Sequence, residues 1–213
     1  MKTIKPIEQL RRKEWVTIFV IYLRYLIGGA FVFSSIVKIR GARFTTDDGT
    51  SAPINSAWHL FETLYQSGVY WSFLGWSQLI AGLLLMTQRY ATLGALLFFP
   101  ITVNIFFITI SYYFAATPVI TGLLLLANIF LLLWDYQKLL PLINFASKHE
   151  FKINNKAEER LLWTYVGVLM FLITVIYVTV SGRNPNLWII ISVLTGLSTL
   201  LLYMASKRNN ANN

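Results

Sequence analysis

The run over residues 15–40, WVTIFVIYLRYLIGGAFVFSSIVKIR, is apolar and long enough to cross a bilayer, yet it carries a cation inside it. A hydrocarbon core of about 30 Å takes about 20 residues of helix at about 1.5 Å each. Arg24 stands nine residues in from Trp15, which predicts a position near the middle of the span. Lys38 follows fourteen residues later, and at about 100° per residue it returns to within about 40° of Arg24. Arg24, Gly28, Phe31, Ser35 and Lys38 therefore share one face. That face is expected to point into protein, because a lone cation at membrane depth costs about 3 kcal/mol or more.

Five further apolar runs follow, at 70–87, 93–113, 120–134, 161–180 and 187–205. With 56% hydrophobic and 13% charged residues, the chain reads as all-α: a polytopic membrane helical bundle of six transmembrane helices. Gln88-Arg89 closes a tight hairpin between the second and third spans. Thr117 and Pro118 are expected as N-cap and first helical residue of the fourth. The charged stretch 137–160, read as a loop, separates a four-helix core within 15–136 from a C-terminal two-helix hairpin at 161–205. Residues 1–14, with Ile4, Ile7 and Leu10 in one stripe, read as an amphipathic segment on the membrane surface. The outer loop 41–68 holds a turn at Asp47-Asp48-Gly49 and a short interfacial helix carrying Trp58, Phe61, Leu64 and Tyr65. The Asn-rich tail, 206–213, is expected to be disordered.

Charge sets orientation. With the N-terminus in the cytoplasm, thirteen of the eighteen Lys and Arg residues fall on that side. Lys38, Arg40, Arg43 and Arg183 fall on the other, so both termini are expected in the cytoplasm. No cleavable leader is visible, and the first span is expected to be retained. The net charge of +9 belongs to span-flanking cations, so the lipid bilayer is the expected partner and nucleic acid is not. Cysteine is absent, which removes disulfides, thiolate nucleophiles and thiolate metal ligands from this chain. His59 and His149 fall on opposite sides in this topology, so no haem or metal site is expected. No nucleophilic triad, phosphate loop or carboxylate pair occurs at credible spacing.

The candidate ligand-binding residues are Arg24, Lys38, Gln78, Asn104, Asn128 and His59. Gln78 shares a face with Gly75 and Gly82, where a neighbouring backbone can approach closely. Asn104 lies one turn after Pro100, and Asn128 shares a face with Thr121 and Asp135. The three amides read either as bonds between helices or as lining of a ligand site. No acidic residue falls inside a span. Arg24 therefore either snorkels to the headgroups, bonds to neutral Gln78, Asn104 or Asn128, or meets an anionic or carbonyl-bearing ligand. Lys38 reads as an interfacial anchor, or with Arg40 and His59 as a basic rim attracting an anion or a quinone carbonyl.

The patterns RYLIGGAFVFSSIVK and GWSQLIAGLLLMTQRYATLGALLFFPITVNI resemble the DoxX/DoxD-like family of small bacterial membrane proteins, over roughly residues 22–134. Arg24, Gly28, Lys38, Gln78, Gly82 and Arg89 match the ordered features of that pattern. Two departures stand out: Gln78 replaces a commonly acidic residue, and the C-terminal hairpin lies outside the pattern. The resemblance implies a bacterial inner-membrane protein allied to thiosulfate:quinone oxidoreductase subunits and to membrane or periplasmic partners of redox and envelope-stress systems. The leading expectation is an accessory, non-catalytic component holding a quinone-like or anionic molecule. A small-solute permease and a scaffold or assembly factor for another membrane protein are the other two readings.

Overall fold

The computed structural model describes residues 5–45, 47–112, 116–143, 161–181 and 184–212. These form α1 (Lys5–Arg11), α2 (Glu14–Ile39), α3 (Ala57–Gln66), α4 (Val69–Met86), α5 (Ala91–Ser111), α6 (Thr117–Trp134), α7 (Tyr136–Ile143), α8 (Leu161–Val180) and α9 (Pro185–Asn212). Six of them, α2, α4, α5, α6, α8 and α9, are long and apolar enough to span a membrane. The protein is a polytopic helical bundle. Its two ends meet on one side, where Glu14 bonds both Tyr203 and Lys207.

Helix α2 is the spine. Of its most apolar stretch 61% is buried, against 22–39% for the other five spans, because it packs on α4, α6 and α8 at once. One face joins α4, α5 and α6 through Val20, Ile27, Phe31, Ala81, Leu85, Phe98 and Leu131. The opposite face joins α8 and α9 through Ile21, Tyr25, Val32, Trp163, Met170 and Trp188. The C-terminal hairpin thus completes a second core on α2.

Small residues set these distances. A Cβ on Gly28 would stand 2.9 Å from the Gly82 carbonyl oxygen, and one on Gly82 would stand 2.9 Å from that of Gly28. The backbones of α2 and α4 therefore touch at the glycine face expected around Gln78. A Cβ on Gly167 would overlap the Met86 carbonyl and crowd the Tyr25 ring, which fixes α8 against the end of α4. Helix α2 ends at Gly41, whose φ of 62° lets Ala42 N–H reach Val37 O and Gly41 N–H reach Lys38 O, both at 3.0 Å. That six-to-one bond pair satisfies carbonyls the helix end leaves open.

Four local expectations change. Thr117 is already helical, with Ala116 as N-cap, so Pro118 occupies the second helical position. The start of the expected 137–160 loop is helix α7; Gln137 there donates to Glu8 at 3.1 Å and accepts from Arg11 at 3.3 Å. Helix α1 is thereby tied to protein as well as facing outward. Helix α9 continues to Asn212, through residues read as a disordered tail. The expected interfacial helix is α3, capped by Ser56, whose Oγ accepts from His59 N–H at 3.3 Å. His149 and the rest of the 137–160 segment beyond α7 lie outside the described residues.

Candidate functional site

Arg24 is 1% exposed, so its guanidinium is enclosed by protein and does not reach out to lipid headgroups. Its guanidinium donates to Asp135 Oδ2 at 2.7 Å and to Gln88 Oε1 at 3.0 Å. The expectation of neutral partners in Gln78, Asn104 and Asn128 is therefore corrected: Arg24 has a carboxylate. Asp135 lies one residue beyond the end of α6, Gln88 sits in the α4–α5 turn, and Thr92 stands on the first turn of α5. The Arg24 guanidinium consequently lies at a terminus of each of these neighbours rather than midway along them. The N-terminal part of α2 overshoots that level, which is why counting inward from Trp15 placed Arg24 too deep.

Asp135 is the hub. Besides Arg24 it accepts from Thr92 Oγ1 at 3.0 Å, and it pairs with Lys138 at 3.1 Å and with Arg11 at 3.5 Å. Burial works to raise its pKa, but Arg24, Lys138 and Thr92 outweigh this and hold the carboxyl below the ordinary carboxylate range. Arg11 also lies over the Trp134 ring, 5.3 Å from its centroid. Gln88 takes a left-handed φ of 58°, the conformation usually given to glycine after a helix. A glycine there would have no side chain to accept from Arg24.

At the other end Lys38 is buried. Its ammonium donates to Ser34 O at 3.0 Å and lies 4.7 Å and 5.3 Å from the ring centroids of Phe44 and Trp71. Gln78 is buried and accepts from Ser34 Oγ at 3.4 Å, so Lys38 and Gln78 meet through one serine. Arg40 donates outward to Thr179 O at 3.1 Å. His59, half-buried on α3, has an Nδ1 that makes no hydrogen bond. The loop is clamped instead by Arg43, which grips Glu62 through two bonds of 2.8 and 2.9 Å and Asp48 through one of 3.2 Å.

Asn128 is fully buried between α5 and α6. Its amide faces α5: in one orientation its nitrogen lies 3.3 Å from Thr102 Oγ1, and with the amide oxygen and nitrogen exchanged it donates to Ala95 O at 3.2 Å and accepts from Phe99 N–H at 3.1 Å, bracing α5 next to Pro100. Asn104 is on the opposite, exposed face of α5. The six candidates therefore do not converge. Between Arg24 and Lys38 the interior is filled by Ile27, Phe31, Leu85 and Phe98, the two Phe rings 3.8 Å apart at 64°.

The space in the bundle lies elsewhere. A cleft of about 320 Å³ separates α2 from α8 and α9, and Phe19, Tyr22, Tyr25, Met170, Thr174 and Trp188 are among its walls. The two tyrosine hydroxyls, the Trp188 indole and the Thr174 hydroxyl of this lining bond within the protein. Tyr22 donates to Gly196 O at 2.6 Å, Tyr25 to Trp163 O, and Trp188 Nε1 to Thr174 Oγ1 at 3.1 Å. Exposed Phe19, Leu26, Val193 and Leu197 mark its open side. Sequence periodicity missed it because its walls come from four helices, α2, α4, α8 and α9, with α2 and the α8–α9 hairpin far apart in the chain. Among the described residues no three His, Asp or Glu side chains group as metal ligands. No family model matches this chain, and no curated protein or solved structure matches it either.

Proposed function

We propose that this protein is a non-catalytic membrane component that holds a lipophilic, quinone-like molecule in the cleft between α2 and the α8–α9 hairpin. The observation carrying this reading is the cleft itself: about 320 Å³, aromatic and methionine-lined, and open on its apolar side. That volume is at the small end of ligand pockets. It suits one flat ring and the first part of an isoprenoid or acyl tail, whose remainder can pass between Leu26 and Leu197 into lipid. Methionine and aromatic walls adapt to a planar polarizable ring. Since Arg24 is held by Asp135 and Gln88, its role in this reading is to fix the bundle end, and it does not bind the ligand.

The resemblance of Arg24, Gly28, Lys38, Gln78, Gly82 and Arg89 to the DoxX/DoxD-like pattern supports placing the protein in a bacterial inner membrane as an accessory of a redox or envelope-stress pathway. The excess of cations at one end supports cytoplasmic termini.

The full chain in lipid nanodiscs, titrated with a short-tailed quinone, tests the binding. Saturable uptake of about one quinone per chain is expected, weakened about tenfold or more by Ser192→Phe, which fills the cleft from α9. Uptake no greater than in empty nanodiscs, or unaltered by Ser192→Phe, refutes the proposal.

A further inference from the structure

Asn104 is an exposed carboxamide near the middle of α5, on a surface otherwise suited to lipid. Its neighbours on that face are Phe99, Pro100, Val103, Phe107 and Ile108, around a depression of about 520 Å³ that runs on to Ser111 and Tyr112 at the end of the helix. Among the described residues nothing hydrogen-bonds to it. Pro100, exposed one turn earlier, has no N–H to give the Leu96 carbonyl four residues before it, so the helix bond that carbonyl ordinarily takes is missing on the same face. Hydrocarbon offers no partner to either group, and polar groups at this depth face protein.

We propose that this face of α5 is the contact between two copies of the chain, closed by a reciprocal hydrogen-bonded pair between Asn104 and Asn104 of the second copy. The face has no charged residue, so a partner selected by charge has nothing to read. A carboxamide donates and accepts at once, and is therefore complementary to itself. A two-fold axis along the membrane normal sets each residue opposite its own copy at equal depth, which is the geometry an isolated Asn needs. The notch beside Pro100, with Val103 between the larger Phe99 and Phe107, receives the second helix. This contact is independent of the α2–α8–α9 cleft, which lies on other helices.

The absence of cysteine makes disulfide trapping clean. In native-type lipid, Phe107→Cys is expected to oxidise mostly to a covalent dimer, and Leu169→Cys, exposed on α8, at least fivefold less. Adding Asn104→Leu to Phe107→Cys should cut trapping about fivefold or more, while Asn104→Gln, which keeps a self-complementary amide, restores most of it. Native mass measurement of the unmodified chain in nanodiscs loaded at varied ratios should show dimers that Asn104→Leu reduces about tenfold. Asn104→Leu places an apolar residue in lipid, so its folded yield should match the parent. Equal trapping at both cysteines, monomers throughout, or a Phe107→Cys adduct with the mass of a different protein overturns the proposal.

Discussion

Replacing Asp135 by Asn removes the carboxylate around which three cations gather and leaves Arg24 charged in a site where it is 1% exposed. Two unit charges about 4 Å apart attract by about 4 kcal/mol at an effective dielectric constant near 20. Both groups gave up hydration to enter this site, so much of that attraction offsets desolvation in the parent protein. The variant keeps the desolvation of Arg24 and loses the attraction, which for a buried pair costs about 3–5 kcal/mol. The Asn carbonyl still accepts one bond from Arg24, so the lower end, about 3 kcal/mol, is expected. At roughly 2–4 °C per kcal/mol for a chain of this size, the melting temperature in detergent should fall by roughly 6–12 °C. Arg24→Gln should fall comparably, because it leaves Asp135 with Thr92 and the more exposed cations Lys138 and Arg11. The double variant should recover about 2 kcal/mol relative to the sum of the two. A loss below about 1 kcal/mol in Asp135→Asn, or strict additivity in the double variant, would refute Asp135 as the partner that holds Arg24.

Gln88→Gly exchanges a left-handed backbone penalty of about 1 kcal/mol for loss of a charge-assisted bond worth about 1.5–3 kcal/mol. A net loss of about 1 kcal/mol in the same melting assay is expected, well short of the Asp135→Asn effect. Gly167→Leu forces a side chain into the Met86 carbonyl and should loosen α8 from the end of α4, seen as a fall in melting temperature in the same assay. The Asp135 carboxyl titrates below its unfolded value of about 3.9, so its stabilisation is complete above that pH and is lost as pH falls through the lower folded value. Melting temperature should hold between pH 7 and about 5 and drop below about 4, less steeply in Asp135→Asn. Glu62, held below its ordinary value first by its hydrogen bonds to Arg43, titrates with the same sign. Trp71 fluorescence in a variant lacking the other six tryptophans should report its clamp opening over the same acid range.

The six spans, the short helix between the first two of them and a close helix approach at the Gln78 face were legible in the chain, though not that α2 is the helix that approaches. Each is written locally, in apolar runs of bilayer length and in Gly75 and Gly82, each about one turn from Gln78 on its face. The inside-facing position of Arg24 was legible too, but its partner was not. Asp135 lies just past a span end, outside the apolar run that marks the helix, so nothing local ties it to Arg24. Asn128 and Asn104 looked alike in sequence because both are lone amides in apolar helices; one braces α5 from within and the other stands outside it.

The sequence by itself determined that this chain crosses a membrane as a helical bundle, because backbone groups in hydrocarbon must bond within their own helix and the apolar runs have the length to do so. Which charges neutralise which, which face of α2 receives the hairpin, and where an apolar cleft remains were decided only by tertiary structure. Those properties arise where helices far apart in the chain meet, as Arg24 meets Asp135 across 111 positions, and no local pattern records that encounter.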